Sequence, residues 1–321
     1  MKIKSAISLL ALALGTFAAL PSMAQPGGRI RIIYGYPPGD SSDSVIRLIA
    51  EKFAKEMNRT VINENMSGAS GRIGLKAVIN APADGSTLLF TPMAPVTLFP
   101  ASMQNIDYDP FKDLKPVSQL VTFDIGMAAG AHVPVKTVAE LIAWAKSNPG
   151  KASYGVPGAG GLPNFFAIMM SDAAGIKMER IPYRGSAPTI ADMVAGHLPF
   201  ALSPTAQFTE MHNAGKIRIL ATSGVARSPF TPDVPTFRET GFDLVGEGWY
   251  AIYAPAATPD ATVELYSAAM RKILQEEETR KRILSLTFVP TGTTPQRLRE
   301  IQTEDFKRWE PVIKASGFVQ Q

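Results

Sequence analysis

The sequence contains no cysteine among its 321 residues. Disulfide bonds, thiolate nucleophiles and cysteine metal ligands are therefore excluded, and stability must come from core burial, which an apolar fraction of 45% permits. Histidine is scarce as well. His132, His197 and His212 show no spacing typical of a metal site, and each lies beside glycine, proline or polar turn residues. We expect these histidines to be solvated loop residues and no metal to be bound.

Positive charge is neither abundant nor clustered. The formal net charge is +4, and subtracting Lys2 and Lys4, which belong to the N-terminal segment described below, leaves +2. The sequence has no dense run of lysine and arginine and no basic stripe interleaved with aromatic residues. Nucleic acid is therefore not expected as a partner.

Motifs for nucleotide binding and for hydrolysis are also missing. Gly158 and Gly160 begin a glycine pattern, but the dinucleotide fingerprint requires glycine where Pro163 stands. Neither a phosphate-loop Gly-Lys-Ser/Thr nor a Gly-x-Ser-x-Gly elbow occurs. We therefore expect a protein without enzymatic activity and without a cofactor. The alternative, an exported enzyme acting on a small acid, would need a base such as Asp40 or Asp43.

The first 24 residues have the composition of a secretory signal peptide. Lys2 and Lys4 precede an apolar run over residues 7–20, and Ser22-Met23-Ala24 forms a small-x-small cleavage site. The apolar run is too short to span a bilayer. We expect cleavage after Ala24 and export to the periplasm, which leaves 297 residues (321 minus 24), enough for two domains.

The stretch from Ile30 to Leu48 predicts a strand, a tight turn and the start of a helix. An isoleucine-rich run is stopped by Tyr36-Pro37-Pro38-Gly39, and residues 40–43 are of N-cap types. We expect Asp43 to be the cap. The first N–H groups of a helix have no intrahelical partner and carry the positive end of the dipole, so this turn is a candidate anion site. The alternative is an ordinary strand-to-helix turn that binds nothing.

Strands and helices alternate along most of the chain, which predicts an α/β fold. We expect a parallel sheet with helices on both faces and ligands beyond the carboxyl ends of the strands. A second strand-turn-helix unit, with its turn at residues 157–164, resembles the first and suggests two α/β lobes with a ligand cleft between them. Strands are predicted at 30–33, 60–63, 86–91, 152–156, 178–183, 200–203 and 217–223, and helices behind Asp43, at 73–79, at 138–147, from 165, at 263–274 and at 295–313.

Sequence motifs spread over nearly all of the mature chain are together similar to the Bug family, the periplasmic substrate-binding receptors of tripartite tricarboxylate transporters. The motifs are Tyr36 to Asp43 with Arg47, Asn65 to Gly74, Ala83-Asp84-Gly85, Tyr108-Asp109-Pro110, Pro182 to Pro188, Ala214-Gly215-Lys216, Pro232 to Thr236, and Trp249-Tyr250 to Ala254-Pro255.

This resemblance implies a type II periplasmic binding protein, whose two lobes close on a small ligand, usually an organic acid, and deliver it to the subunits of a membrane permease. We place lobe 1 at residues 25–120 and 250–321 and lobe 2 at residues 121–249, and we expect a monomer. A ligand-sensing receptor that presents its closed form to a signalling partner is the alternative. The final two helices should pack on lobe 1.

The resemblance also implies that ligand carboxylates are held by the two strand-to-helix turns, through backbone amides, short polar side chains and bridging waters. Further candidates follow the ends of strands, and Trp249 either packs in the core, which we favour, or forms a wall of the site. The matching residues are Pro38, Gly39, Asp40, Ser41 and Asp43 in the first turn and Gly158, Ala159, Gly160 and Asn164 in the second; the further candidates are Thr91, Pro92, Tyr183, Arg184, Ser203 and Thr205.

Three of these positions depart from the family pattern. The family usually has glycine where this chain has Asp40, histidine where it has Asn164, and often aspartate where it has Ser203. An ionised Asp40 that faced the cleft would oppose a ligand carboxylate, at a cost of roughly 4 kcal/mol for charges 4 Å apart at an effective dielectric of 20. Our hypothesis is that the ligand has a hydrogen-bond donor or a positive group near Asp40, unless this side chain points outward.

Overall fold

The computed structural model describes residues 28–319, so the expected signal peptide at residues 1–24 lies outside the described residues. In this part of the chain no helix is long and apolar enough to cross a membrane. The strands are β1 (Ile30–Tyr34), β2 (Val61–Asn65), β3 (Thr87–Pro92), β4 (Leu114–Gly130), β5 (Ser153–Val156), β6 (Glu179–Pro182), β7 (Phe200–Pro204), β8 (Ile217–Thr222), β9 (Glu247–Pro255) and β10 (Val289–Pro290). The α-helices are α1 (Ser41–Met57), α2 (Arg72–Ile79), α3 (Phe99–Ser102), α4 (Val138–Ser147), α5 (Leu162–Ala174), α6 (Ser186–Val194), α7 (Thr205–Asn213), α8 (Asp260–Gln275), α9 (Glu277–Ser285) and α10 (Pro295–Ala315).

Two groups of parallel strands form the cores of two lobes. In lobe 1, β1 pairs in parallel with β2 and β3. In lobe 2, β5 pairs in parallel with β6 and β7. The predicted strands are all present, but the expectation of a wholly parallel sheet is wrong, because β4 and β9 run antiparallel to their neighbours.

Strand β4 passes through both lobes. Its residues 114–124 pair with β9, and its residues 125–130 pair with β7 and β8 of lobe 2. The register with β9 shifts twice, between Pro116 and Ser118 and between Gln119 and Val121. Such bulges add local twist to the half of β4 that pairs with β9. The lobes are thus joined by β4 and its partner β9.

Local sequence explains where α4 begins and where α5 ends. Helix α4 starts behind Thr137, whose hydroxyl accepts a hydrogen bond from the N–H of Glu140 at 3.1 Å. Helix α5 ends at Gly175, which adopts φ +61° and lets the chain turn at a conformation that other residues rarely reach. The predicted helices at 138–147 and from 165 are therefore confirmed, the second with an earlier start at Leu162.

The sequence predicted that the last helix packs on lobe 1. In the structure this helix contacts both lobes. Helix α8 does pack on α1 of lobe 1. Helix α10 begins on lobe 1, where the side-chain amide of Gln302 donates to the carbonyl of Val96 at 2.6 Å. Its C-terminal part reaches lobe 2, because Trp309 packs against Phe166 of α5 with 5.7 Å between ring centroids.

One histidine differs from the expectation of solvated loop residues. His132 and His197 lie in exposed turns, as predicted. His212 lies in the last turn of α7, and its Nδ1 accepts a hydrogen bond from the N–H of Ile219 at 3.3 Å. Partial burial lowers the pKa of His212, which favours the neutral ring that can accept this bond.

Candidate functional site

A cavity lies between the two lobes, at the carboxyl ends of the parallel strands. The centres of water molecules can occupy about 60 Å³ of this cavity. Roughly 10–15 Å³ of such space holds one water, so the cavity has a volume that suits a small metabolite. Its lining residues are Tyr34, Tyr36, Asp40, Pro92, Met93, Ala94, Phe123, Pro157, Gly161, Leu162, Pro163, Gly185, Ser186, Pro204 and Tyr250.

Four helices begin at this cavity. The N-cap residues of α1, α5, α6 and α7, which are Asp40, Gly161, Gly185 and Pro204, all line it. The N–H groups of each first turn lack intrahelical partners, and the helix dipoles add partial positive charge. The lining residues include no lysine, arginine or histidine. Backbone N–H groups are thus the source of positive potential, which suits an anionic group of a ligand.

Asp40, not Asp43, caps α1, which corrects the expectation from sequence. Oδ1 of Asp40 accepts from the N–H of Asp43 at 2.8 Å. Asp43 lies inside the first turn, where its carboxylate accepts from Nε of Arg47 at 2.7 Å. A cap residue keeps extended backbone while its side chain reaches two or three residues forward, and Asp40, at φ −88° and ψ 171°, has this conformation.

Asp40 is also the one charged side chain among the described residues that line the cavity. Its Oδ2 accepts from the hydroxyl of Tyr34 at 3.4 Å. Burial raises the pKa of Asp40, and the hydrogen bond from the N–H of Asp43 partly opposes that rise. Asp40 therefore presents to the cavity a carboxyl group that is protonated more easily than one in water.

Aromatic rings form the wall of the cavity on the side of lobe 1. The hydroxyls of two of them are already engaged: Tyr36 donates to the carbonyl of Ser70 at 3.1 Å, and Tyr250 accepts from Oγ of Ser42 at 2.9 Å. Burial raises the pKa of Tyr36 and of Tyr250 above the ordinary range, so both remain neutral. The rings of this wall are those of Tyr34, Tyr36, Phe123 and Tyr250.

A hydrogen-bonded bridge joins the two lobes beside the cavity. Oε1 of Gln207, in the first turn of α7, accepts from the N–H of Ser41, the first residue of α1, at 3.2 Å. Its Nε2 donates to Oγ of Ser42 at 3.2 Å. The N–H of Ser41 is one of the groups that α1 cannot satisfy internally, so lobe 2 supplies its partner. The bridge holds the lobes in contact.

We expect Gln207→Ala to weaken ligand binding about 5- to 150-fold. The variant removes two hydrogen bonds that join the lobes, and each such bond contributes about 0.5–1.5 kcal/mol. Calorimetric titration with the tightest ligand found in the panel described below measures the change. Glu210→Gln, on the exposed side of the same helix, is the matched control and should bind as the wild type does. Unchanged affinity in Gln207→Ala would show that the bridge does not contribute to closure.

The structure brings two of the sequence-predicted residues, Asp40 and Pro92, into the lining of the cavity. Pro38 and Gly39 are exposed on the outer side of the first turn. Ser41 forms the bridge to Gln207, and Asp43 supports the turn through Arg47, as described above.

Candidates from lobe 2 line a second groove at the mouth of the cleft rather than the cavity. Gly158 and Ala159 lie there with Tyr183 and Arg184. The hydroxyl of Tyr183 donates to Oδ2 of Asp192 at 2.7 Å within lobe 2, and Arg184 is exposed. Gly160 is buried between this groove and the start of α5.

Other predicted residues are buried behind the lining. Ser203 lies 2.9 Å, Oγ to Oγ, from Ser186, which does line the cavity. Oδ1 of Asn164 accepts from the hydroxyl of Tyr154 at 3.3 Å, and its Nδ2 has no partner in the described part of the chain. The hydroxyl of Thr205 donates to the carbonyl of Asp124 at 3.1 Å, and that of Thr91 to the carbonyl of Pro92 at 3.0 Å.

The sequence reasoning missed the aromatic wall. Tyr34 is the last residue of β1 and so stands at its carboxyl end, a position that could have identified it. Tyr250 adjoins Trp249, and side chains alternate along a strand, so the two point to opposite faces of β9. Trp249 is 2% exposed and donates from Nε1 to Oδ2 of Asp305 at 2.8 Å, so the expectation that it packs in the core is confirmed.

Two α/β lobes, joined by shared strands and enclosing a cavity at which helices begin, define the class of two-lobed periplasmic binding proteins. The solved structure of the periplasmic binding protein BugD has this fold: it superimposes with a TM-score of 0.86, at 25% identity, over 91% of this chain and 99% of that one. The structure of Rpa4515 from R. palustris with adipate gives a TM-score of 0.87 at 26% identity, covering 91% and 98% of the two chains.

Sequence comparison identifies the family within this class. A family model described as "Tripartite tricarboxylate transporter family receptor" matches residues 45–318. The UPF0065 protein in the gbd 5′ region of Cupriavidus necator is 30% identical over 318 residues, which cover 98% of this chain and 96% of that protein. The chain therefore belongs to the tripartite tricarboxylate transporter family of receptors, and the predicted fold and Bug-family membership are confirmed.

Proposed function

We propose that this protein captures a small organic acid, or a related metabolite bearing an amide or amine, by closing its lobes around it. The observation that carries the proposal is the convergence of four helix N-termini from both lobes on one cavity without a basic side chain. A ligand bound there contacts both lobes at once and so stabilises the closed form by its differential affinity. The likeness to the R. palustris protein with adipate supports an acid as ligand.

The receptor acts, in this proposal, in the periplasm after cleavage behind Ala24. Lobe 1 comprises residues 25–120 and 250–321, lobe 2 comprises residues 121–249, and the closed monomer delivers its ligand to the permease subunits of a tripartite transporter. The ligand leaves unaltered, because the protein is a receptor rather than an enzyme. The residues predicted from the two turns and the strand ends bind the ligand or hold the lining in place.

The test is thermal unfolding of the mature protein against a panel of dicarboxylates, tricarboxylates, amino acids, aromatic acids and their amides. A ligand present at a hundredfold excess over its Kd adds ~2.7 kcal/mol to the free energy of unfolding, which raises Tm by several degrees. We expect one chemical class to do this and to be recovered chemically unchanged. A panel without any shift would contradict the solute-binding role, and conversion of the ligand would indicate an enzyme.

A further inference from the structure

The cavity is chemically different on its two sides. Lobe 2 presents three helix N-termini, at Gly161, Gly185 and Pro204, and no charged side chain. Lobe 1 presents aromatic rings and the carboxyl group of Asp40. A ligand that spans the cavity therefore meets hydrogen-bond donors at one end and an acceptor at the other. A symmetrical diacid does not match this arrangement.

Two of the three tyrosine hydroxyls beside Asp40 already act as donors within the protein. The hydroxyl of Tyr34 donates to Asp40 itself, and that of Tyr36 donates to Ser70. Tyr250, on β9, is neutral and bonded to Ser42. The donors of Tyr34 and Tyr36 are thus used within the protein, and the acceptor lone pairs of Asp40 are the charged feature of the wall that a ligand can address.

The charges near Asp40 do not offset its own. Asp43 carries the same sign, and its charge is matched by Arg47. The groups that face Asp40 from β1 and β9 are tyrosines, and the side chain that α7 places against the first residues of α1 is the neutral amide of Gln207. A ligand carboxylate placed at Asp40 would therefore meet an uncompensated negative charge whenever Asp40 is ionised.

We infer that Asp40 is a specificity-determining residue, which selects monocarboxylates carrying an N–H donor, such as an amide or an ammonium group, over dicarboxylates of the same length. The inference rests on the proposed function. In this arrangement the ligand carboxylate lies at the helix N-termini of lobe 2, and its N–H group donates to Asp40. A site built to hydrogen-bond a donor discriminates strongly against an isostere that lacks it, because a buried acceptor is then left unpaired.

Matched pairs of probes test this directly. Succinamate and succinate, glutaramate and glutarate, and adipamate and adipate differ only in replacing one carboxylate by an amide. We expect the wild type at pH 8 to bind the monoamide at least tenfold more tightly than the diacid in the pair of the best-fitting length, measured by calorimetry. The preference should narrow as the pH is lowered, because a protonated Asp40 becomes a donor and accepts a carboxylate as neighbour.

Asp40→Asn should abolish or invert the preference. Asparagine is an equally good N-cap, so α1 keeps its first turn, while its amide can donate to a ligand carboxylate. Diacid affinity should rise at least tenfold and lose its dependence on the pH beyond that of the probe itself. Glu51→Gln is the matched control: it removes one negative charge from the exposed face of α1 and should leave the wild-type preference intact.

The possible outcomes separate the inference from the proposed function. Tighter binding of diacids by the wild type, or an unchanged preference in a folded Asp40→Asn variant, would overturn the role of Asp40 while leaving the receptor function standing. Failure of every acid and amide to bind would overturn the proposed function, and the inference with it. Preference for the monoamide that is lost in Asp40→Asn and kept in Glu51→Gln supports both.

Discussion

Trp249→Ala is expected to lower the free energy of unfolding by about 3–5 kcal/mol, the range for truncating a large buried aromatic side chain. Trp249 is 2% exposed and connects β9 to α10 through the hydrogen bond from Nε1 to Asp305. The substitution opens a cavity and also removes the donor of a partly buried carboxylate. Burial already raises the pKa of Asp305, so loss of this donor leaves its charged form less favourable still.

Urea unfolding followed by circular dichroism measures the loss. Trp249→Phe is the matched variant: it keeps a buried aromatic ring but removes the donor and part of the indole, so we expect a smaller loss of about 1.5–3 kcal/mol, near the usual value for a hydrogen bond to a charged group. Both variants should bind ligand normally when folded, because Trp249 does not line the cavity. Loss of binding without loss of stability would mean that Trp249 is a wall of the site after all.

The parts of the fold that depend on neighbours in sequence were predictable. Helix α4 follows from Thr137 and from the glycine and proline beyond its end, and β1 with its turn follows from the isoleucines and Tyr36-Pro37-Pro38-Gly39. The helix and the strand are each determined by residues that lie close together in the sequence. Local capping and turn chemistry act before any tertiary contact is made, which is why a single sequence suffices.

The parts that depend on pairing between distant strands were not predictable. Strand β4 was not predicted, and neither was the pairing of its two halves with different lobes, because the periodicity of one segment does not identify its partner strands. Helix α7 was not predicted either. It begins at Thr205, directly after Pro204, the last residue of β7, so no turn residues mark its start. The bridge through Gln207 was missed for that reason.

The sequence also does not determine whether Asp40 or Asp43 caps α1. Both are good N-cap types, and the sequence does not specify which residue is the last with extended backbone. The structure decides this through Arg47, one turn further along, which pairs with Asp43 and so favours a position inside the helix for it. Asp40 then becomes the cap and faces the cavity, and the hypothesis about ligand chemistry depends on that placement.

Asp124→Asn should stabilise the protein at neutral pH and have little effect in acid. Asp124 lies in β4 directly opposite Glu247 of β9, where β4 passes from one lobe to the other. Burial and the negative charge of Glu247 raise the pKa of Asp124 to about 6. Arg227, from a loop lining the same surface depression, is bonded to Glu239 rather than to Asp124.

The sign of the effect follows from linkage. In the unfolded chain an aspartate has a pKa of about 3.9, so the folded state binds the proton more tightly than the unfolded state. The contribution of Asp124 to stability is therefore fully present below about pH 4 and is lost as the pH rises through about 6. A shift of about two units corresponds to at most ~3 kcal/mol, and partial exposure reduces this to about 1–2 kcal/mol.

Thermal and urea unfolding at pH 4.5 and pH 7.5 provide the measurement. Asp124→Asn should gain about 1–2 kcal/mol over the wild type at pH 7.5, and less at pH 4.5. Glu247→Gln should gain less, because it removes the neighbouring charge but leaves Asp124 buried. A variant whose stability changes with pH as the wild type does would assign the titration to another group.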